Sequence, residues 1–236
     1  MFFVTGDIHG DVYRARNLIQ DYEMGSDDTF IFLGDVGLNY YGDDQEDYSR
    51  KTLLNATGVK ILCIHGNHER RPASLPQYKL SSWRGGEVYV EEEFPNILFA
   101  KDGEIYNLDG ISALVSGGAY SVDKFFRLSR GYFWFPDEQP SDEIKRQVEK
   151  RLDSVEWKVD VVLTHTCPAK YTPVEAFLPG LDQSAVDRST EEWLDAIEEF
   201  TEYKKWYCGH WHIDKVIDKI HFLKNNVCVI GTGDQE

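Results

Sequence analysis

The sequence predicts an α/β protein, and three observations carry that expectation. Short apolar runs of strand length recur along the chain, helical periodicities lie between the first three of them, and five runs end in Asp, Asn or His. The five are Phe2 to Thr5 into Gly6-Asp7, Thr29 to Leu33 into Gly34-Asp35, and Val59 to Ile64 into His65-Gly66-Asn67-His68-Glu69, then Val159 to Leu163 into Thr164-His165 and Trp206 to Cys208 into Gly209-His210-Trp211-His212. Open α/β sheets bind ligands beyond the carboxyl ends of their strands, so polar residues gathered there mark a site.

The first strand is expected at Phe2 to Thr5. From Asp11 to Tyr22, Val12, Ala15, Leu18 and Ile19 recur at helical spacing. A second strand follows at Thr29 to Leu33, then a loop rich in Gly, Asn, Tyr and Asp. A helix is expected from Asp44 to Asn55, with a thin apolar face. The third strand is Val59 to Ile64. This β-α-β-α-β order implies parallel strands with right-handed crossovers. From Arg70 to about Tyr120, Pro and Gly punctuate short runs such as Glu87 to Val90, Ile97 to Ala100 and Ile111 to Val115, which read as a meander forming a second sheet on the first. Gly117-Gly118 marks a close backbone approach to a ligand.

Later in the chain, the aromatic run Tyr132-Phe133-Trp134-Phe135 is expected to pack against a neighbouring helix. Ser141 opens a helix to Asp153, with Ile144 and Val148 on one face. Ala169 to Asp187 reads as a loop. Thr190 to Tyr203 reads as an acidic helix with a solvated charged face. Trp206 to Cys208, Val216 to Phe222 and Val227 to Ile230 read as closing strands. No internal repeat, low-complexity stretch or linker interrupts residues 1–236, so one domain is expected.

The chain has 236 residues, enough to bury ~70% of its unfolded surface without a disulfide or metal to hold the core. Its net charge of −16 argues against a large nucleic-acid footprint or an anionic membrane surface. It leaves room for a small phosphorylated substrate, because metal ions supply local positive charge. Cys63, Cys167, Cys208 and Cys228 form no CxxC pair and are expected to be reduced thiols in a cytoplasmic protein. Cys167, beside His165, is the one placed to be a ligand or nucleophile. No secretion signal is expected at the N-terminus, and no apolar run reaches the ~18 residues that would span a bilayer.

Six of the seven histidines fall at the strand ends: His9, His65, His68, His165, His210 and His212. Asp7, Asp35 and Asn67 bring oxygen. Mixed imidazole, carboxylate and amide ligation suits Mn, Fe, Co, Ni or Zn. Asp7-x-His9 and His210-x-His212 put alternate side chains on one side of an extended backbone. So many candidates favour two divalent metals, with Asp35 between them, clamping a phosphoryl group.

In this order, Gly6-Asp7-x-His9-Gly10, Gly34-Asp35, Gly66-Asn67-His68-Glu69, Thr164-His165 and Gly209-His210-x-His212 resemble the five signature blocks of the calcineurin-like metallophosphoesterase superfamily. The resemblance implies an αββα sandwich of two mixed β-sheets flanked by helices. It implies one metal held by Asp7, His9, Asp35 and His212, and the other by Asp35, Asn67, His165 and His210. It makes His68 the catalytic histidine and Glu69 a supporting residue. The activity implied is hydrolysis of a phosphate ester by metal-generated hydroxide, read as a phosphomonoesterase. The alternatives are a serine/threonine protein phosphatase, a nucleotide or phosphodiester hydrolase, and a non-catalytic scaffold.

The first and third blocks are similar to the serine/threonine phosphatase branch, but two of that branch's arginines are missing. Leu38 and Asn39 stand where it carries an acidic residue and an arginine, and His65 replaces an arginine. Lys124, Arg127 or Arg130 could supply the phosphate-binding cation, with Arg127 the chosen candidate.

Overall fold

A computed structural model describes residues 1–42, 44–177, 180 and 183–231. Alternation along short strands sets its layers. In β1 (Phe2–Thr5) Phe2 and Val4 face one way and Phe3 the other. In β2 (Thr29–Phe32) Ile31 opposes Phe30 and Phe32. In β3 (Lys60–Cys63) Leu62 opposes Ile61 and Cys63. Phe2, Val4, Ile31 and Leu62 join Ala113, Val115, Val161, Leu163 and Tyr207 of a second sheet in one buried cluster. Such two-faced burial, with both faces apolar, is expected of strands covered on each side.

The first sheet runs β13-β1-β2-β3-β6-β5-β4, with β4 at Tyr78–Trp83, β5 at Gly86–Glu91, β6 at Ile97–Ala100 and β13 at Cys228–Ile230. The second runs β11-β12-β10-β9-β8-β7, with β7 at Ile105–Leu108, β8 at Ile111–Ser116, β9 at Val161–Thr164, β10 at Lys205–Cys208, β11 at Lys215–Ile217 and β12 at Ile220–Phe222. Both sheets mix parallel and antiparallel pairs. Helices α1 (Val12–Asp21) and α2 (Gln45–Asn55) cover the outer face of the first through Val12, Ala15, Ile19 and Leu54. Helices α4 (Asp142–Asp153) and α5 (Ser189–Phe200) cover the second through Val148, Leu152, Leu194 and Ile197. The architecture is the expected sandwich of two mixed sheets flanked by helices. Among the described residues, no helix is long and apolar enough to cross a membrane.

Some expectations are corrected. The meander does not form one sheet: its first hairpin, β4–β5, pairs through β6 to β3, and the second, β7–β8, pairs to β9. Val216 to Phe222 is a hairpin, broken where Asp218 takes a φ of 52°. A short helix, α3 (Lys124–Arg130), lies where none was expected. The expected loop from Ala169 to Asp187 contains short 3₁₀ turns at Ala169–Tyr171, Val174–Ala176 and Gln183–Ala185, and its residues 178, 179, 181 and 182 lie outside the described residues. The aromatic run packs on a helix, as expected, and on a loop as well: Tyr132 meets Phe126 of α3 edge-on at 6.2 Å, and Phe133 meets Tyr40 and Tyr41 edge-on at 5.7 and 5.8 Å. The Gly117-Gly118 approach is to backbone, with the Gly118 amide donating to the His65 carbonyl at 2.8 Å. All four cysteines are free, and burial pushes the Cys167 thiol well up, against a nucleophilic role.

Candidate metal centre

Strand register gathers the motifs. Thr5 pairs with Phe32, which pairs with Cys63, so the first three polar turns leave their sheet side by side. Thr164 pairs with Cys208, so His165 and Gly209 leave the second sheet together. The glycines permit the crowding that follows. A Cβ on Gly66 would sit 2.1 Å from the Asp35 carboxylate, and one on Gly209 would sit 2.2 Å from the Asp7 carboxylate. Four candidate residues, His9, Asp35, His210 and His212, hold left-handed backbones at φ of 47°, 47°, 65° and 53°. Such strain costs on the order of 1–3 kcal/mol each and clusters where side chains are aimed for function.

His9 Nε2 faces His212 Nε2 at 2.9 Å, and Asp7 Oδ2 lies 3.2 Å from His212 Nε2. Asn67 Oδ1 lies 2.8 Å from His165 Nε2 and 3.1 Å from His210 Nδ1. Asp35 Oδ2 stands between these groups, 3.9 Å from His9 Nδ1 and 3.7 Å from His165 Nε2. Donor atoms of Asp7, His9 and His212 lie within 4.8 Å of one another, as do those of Asp7, Asp35 and His165. All seven candidate ligands thus converge, with Asp7 common to both groups of three. The donor set fits divalent metal: two buried carboxylates face four imidazoles and an amide oxygen.

Electrostatics follow from burial and from the neighbours. Burial alone would raise the Asp7 and Asp35 carboxyls, but the surrounding histidines outweigh it and hold both below the usual range. Burial, with His165 beside it, lowers His210 to about 3. Burial opposes protonation of His165, but Asp35 and Asp7 raise it overall. Burial lowers His68, against the pull of Asp35. Burial and the Asp35 charge push Glu69 up to about 8.

The supporting contacts are specific. Glu69 accepts the amides of Gly66 at 3.1 Å and Gly37 at 3.2 Å, tying the second and third turns together. Asp7 accepts the His210 amide at 3.0 Å. The His165 ring is oriented by the Leu33 carbonyl at 2.6 Å. Ser121, which sequence reasoning did not single out, accepts from the Asn67 side-chain amide at 2.9 Å and so turns the Asn67 oxygen toward the histidines.

Two openings meet at Asp35 and His68. A cleft of about 220 Å³ is lined also by His9, Tyr40, Tyr41, Arg50 and Arg127. A cavity of about 310 Å³ extends past His210, His212 and Trp211. Of the three candidate cations, Lys124 sits 4.1 Å over the Trp134 ring and Arg130 over Phe126, while Arg127 lines the cleft, held by Asp123 at 2.7 Å. Leu38 and Asn39 are buried, and burial holds His65 well below its usual pKa, so none of the three replaces a missing arginine. Arg50 was missed. It donates to the Gly37 carbonyl at 2.9 Å and pairs with Glu46. Its signal was the thin apolar face of α2, because that helix buries Asp47 and Lys51.

Two mixed sheets thus carry at their strand ends a cluster of carboxylates, imidazoles and an amide, a donor set of the kind that holds divalent metal. Residues 1–214 match the calcineurin-like phosphoesterase family, and the chain belongs to it. That family generally binds divalent metals, and the clustered carboxylates and histidines are candidate ligand groups for them. The chain is 24% identical over 161 residues, 65% of its length, to the Suppressor of mar1-1 protein of Saccharomyces cerevisiae (strain ATCC 204508 / S288c), and that match spans 13% of the yeast protein. One solved structure aligns over 94% of this chain and 89% of its own, with 11% identity and a TM-score of 0.51. TT1561 of Thermus thermophilus aligns over 89% of this chain and 80% of its own, with 14% identity and a TM-score of 0.48.

Proposed function

We propose that this chain is a phosphomonoesterase of small substrates. Asp7, His9, Asp35 and His212 would hold one divalent metal, and Asp35, Asn67, His165 and His210 the other. Mn, Fe, Zn, Ni and Co all suit this donor set. When bound, the pair acidifies water and neutralises phosphoryl charge. His68 is read as the group that gives a proton to the departing ester oxygen. An arriving phosphate dianion adds negative charge beside the ring and opposes the lowering that burial imposes. Arg127, joined by Arg50, is read as the cation pair for the phosphoryl oxygens.

The observation that carries this reading is the cleft in which Asp35 and His68 share walls with two guanidiniums. A phosphate ester is the substrate that suits carboxylate-held metals and planar bidentate donors together. The buried Leu38, Asn39 and His65 support a small ester over a phosphopeptide, since the protein-phosphatase arginines have no replacement at those positions. The test is turnover by Mn-loaded protein. 4-Nitrophenyl phosphate should be hydrolysed faster than bis(4-nitrophenyl) phosphate and far faster than a phosphoserine peptide. A preference for the diester or the peptide contradicts the reading.

A further inference from the structure

The larger opening has no role in the scheme above. One end of the cavity is Asp35, His68 and His210, and its walls include Tyr120, Phe177 and Trp211. Ring contacts lead outward from the candidate metal centre without a break. His165 meets His210 at 5.0 Å, His210 meets Trp211 at 5.3 Å, and Trp211 meets Phe177 at 6.1 Å with planes tilted by 32°. The Arg188 guanidinium lies 6.0 Å from the Phe177 ring on the same wall.

The two openings differ in character while sharing Asp35 and His68. The smaller has two arginines among its lining and suits phosphoryl oxygens. The larger has an aromatic wall and suits the organic part of an ester. His68 borders both, as a proton donor to the bridging oxygen must. At about 310 Å³ the cavity lies near the lower end of the ~300–1,000 Å³ span of small-molecule sites, which suits a small ring system. We infer that this cavity is a leaving-group subsite for an aromatic or heteroaromatic group, with Phe177 and Trp211 as its stacking surface. The inference rests on the phosphoesterase reading and names its substrate class.

The test uses binding, so that it does not depend on turnover. Mn-loaded protein is titrated calorimetrically with phenylphosphonate and with n-butylphosphonate, which share an anion and differ in the ring. The phenyl compound should bind about tenfold more tightly, or ~1.4 kcal/mol. Phe177→Leu, which keeps apolar bulk, should abolish that preference, and Phe177→Tyr should retain it. Equal affinity for the two compounds, or a preference that survives Phe177→Leu, overturns the subsite. Hydrolysis of 4-nitrophenyl phosphate is read separately. A phenyl preference without turnover sinks the hydrolase reading and with it the leaving-group role, leaving only an aromatic-binding cavity, whereas turnover without the preference overturns the subsite alone.

Discussion

The backbone amide of His68 donates to Asp35 Oδ1 at 2.8 Å, so the proposed bridging carboxylate also fixes the turn that carries the proposed proton donor. Ligation and proton transfer are therefore mechanically linked but chemically separable. His68→Ala keeps that amide and should retain metal while losing about 10²–10⁴-fold in kcat, the range of general acid catalysis. Asp35→Ala should lose both metal and rate. Metal analysis beside kinetics checks this, and loss of metal from His68→Ala would make His68 a ligand.

The two cleft arginines predict how substrates are ranked. Arg50→Ala or Arg127→Ala should raise KM for a phosphomonoester about 10–100-fold, the worth of one charge-assisted hydrogen bond at ~1.5–3 kcal/mol. A diester should suffer less, because a monoanion gains less than a dianion from a second cation. Equal losses on both esters would place the arginine outside the phosphoryl site.

Glu191 gives a pH dependence away from the proposed ligands. It is buried on α5, and its carboxylate accepts from the Thr166 hydroxyl at 2.8 Å. Burial raises its pKa from the ordinary 4.5. The folded state therefore prefers the protonated acid, and this contribution is complete below about 4.5 and lost as pH rises through the folded value. Glu191→Gln removes the ionisation, so the variant should gain stability over the wild type between pH 5 and pH 8. Urea midpoints at the two pH values measure it, and a constant difference contradicts the burial argument.

The site was legible because its parts are local. Each polar turn follows its own strand within a few residues, and the register of β1, β2 and β3 brings the turns together. Elements decided by distant pairing were harder to see. Tyr78–Trp83 lies at a sheet edge with most of its side chains toward water, so no alternation marks it. Ile105–Leu108 is short and interrupted by an exposed Asn107. The split of the hairpins between two sheets rests on the long-range pairing of β6 with β3 and of β8 with β9, which no local pattern encodes. Helix α3 buries none of its residues and so lacks an apolar stripe. Arg50 escaped notice because helix faces were judged by apolar spacing, whereas α2 packs through charge: Asp47 accepts the Tyr41 and Gly42 amides at 2.8 Å, and Lys51 pairs with Glu91 at 2.7 Å.

Metal stoichiometry tests the central claim most directly. Protein stripped of metal, reconstituted with Mn and freed of excess should carry two equivalents per chain by elemental analysis. His165→Ala and His212→Ala should each fall toward one, because they belong to different proposed ligand sets. Saturation of the wild type at one equivalent, with His165 or His212 dispensable, would contradict the dinuclear centre.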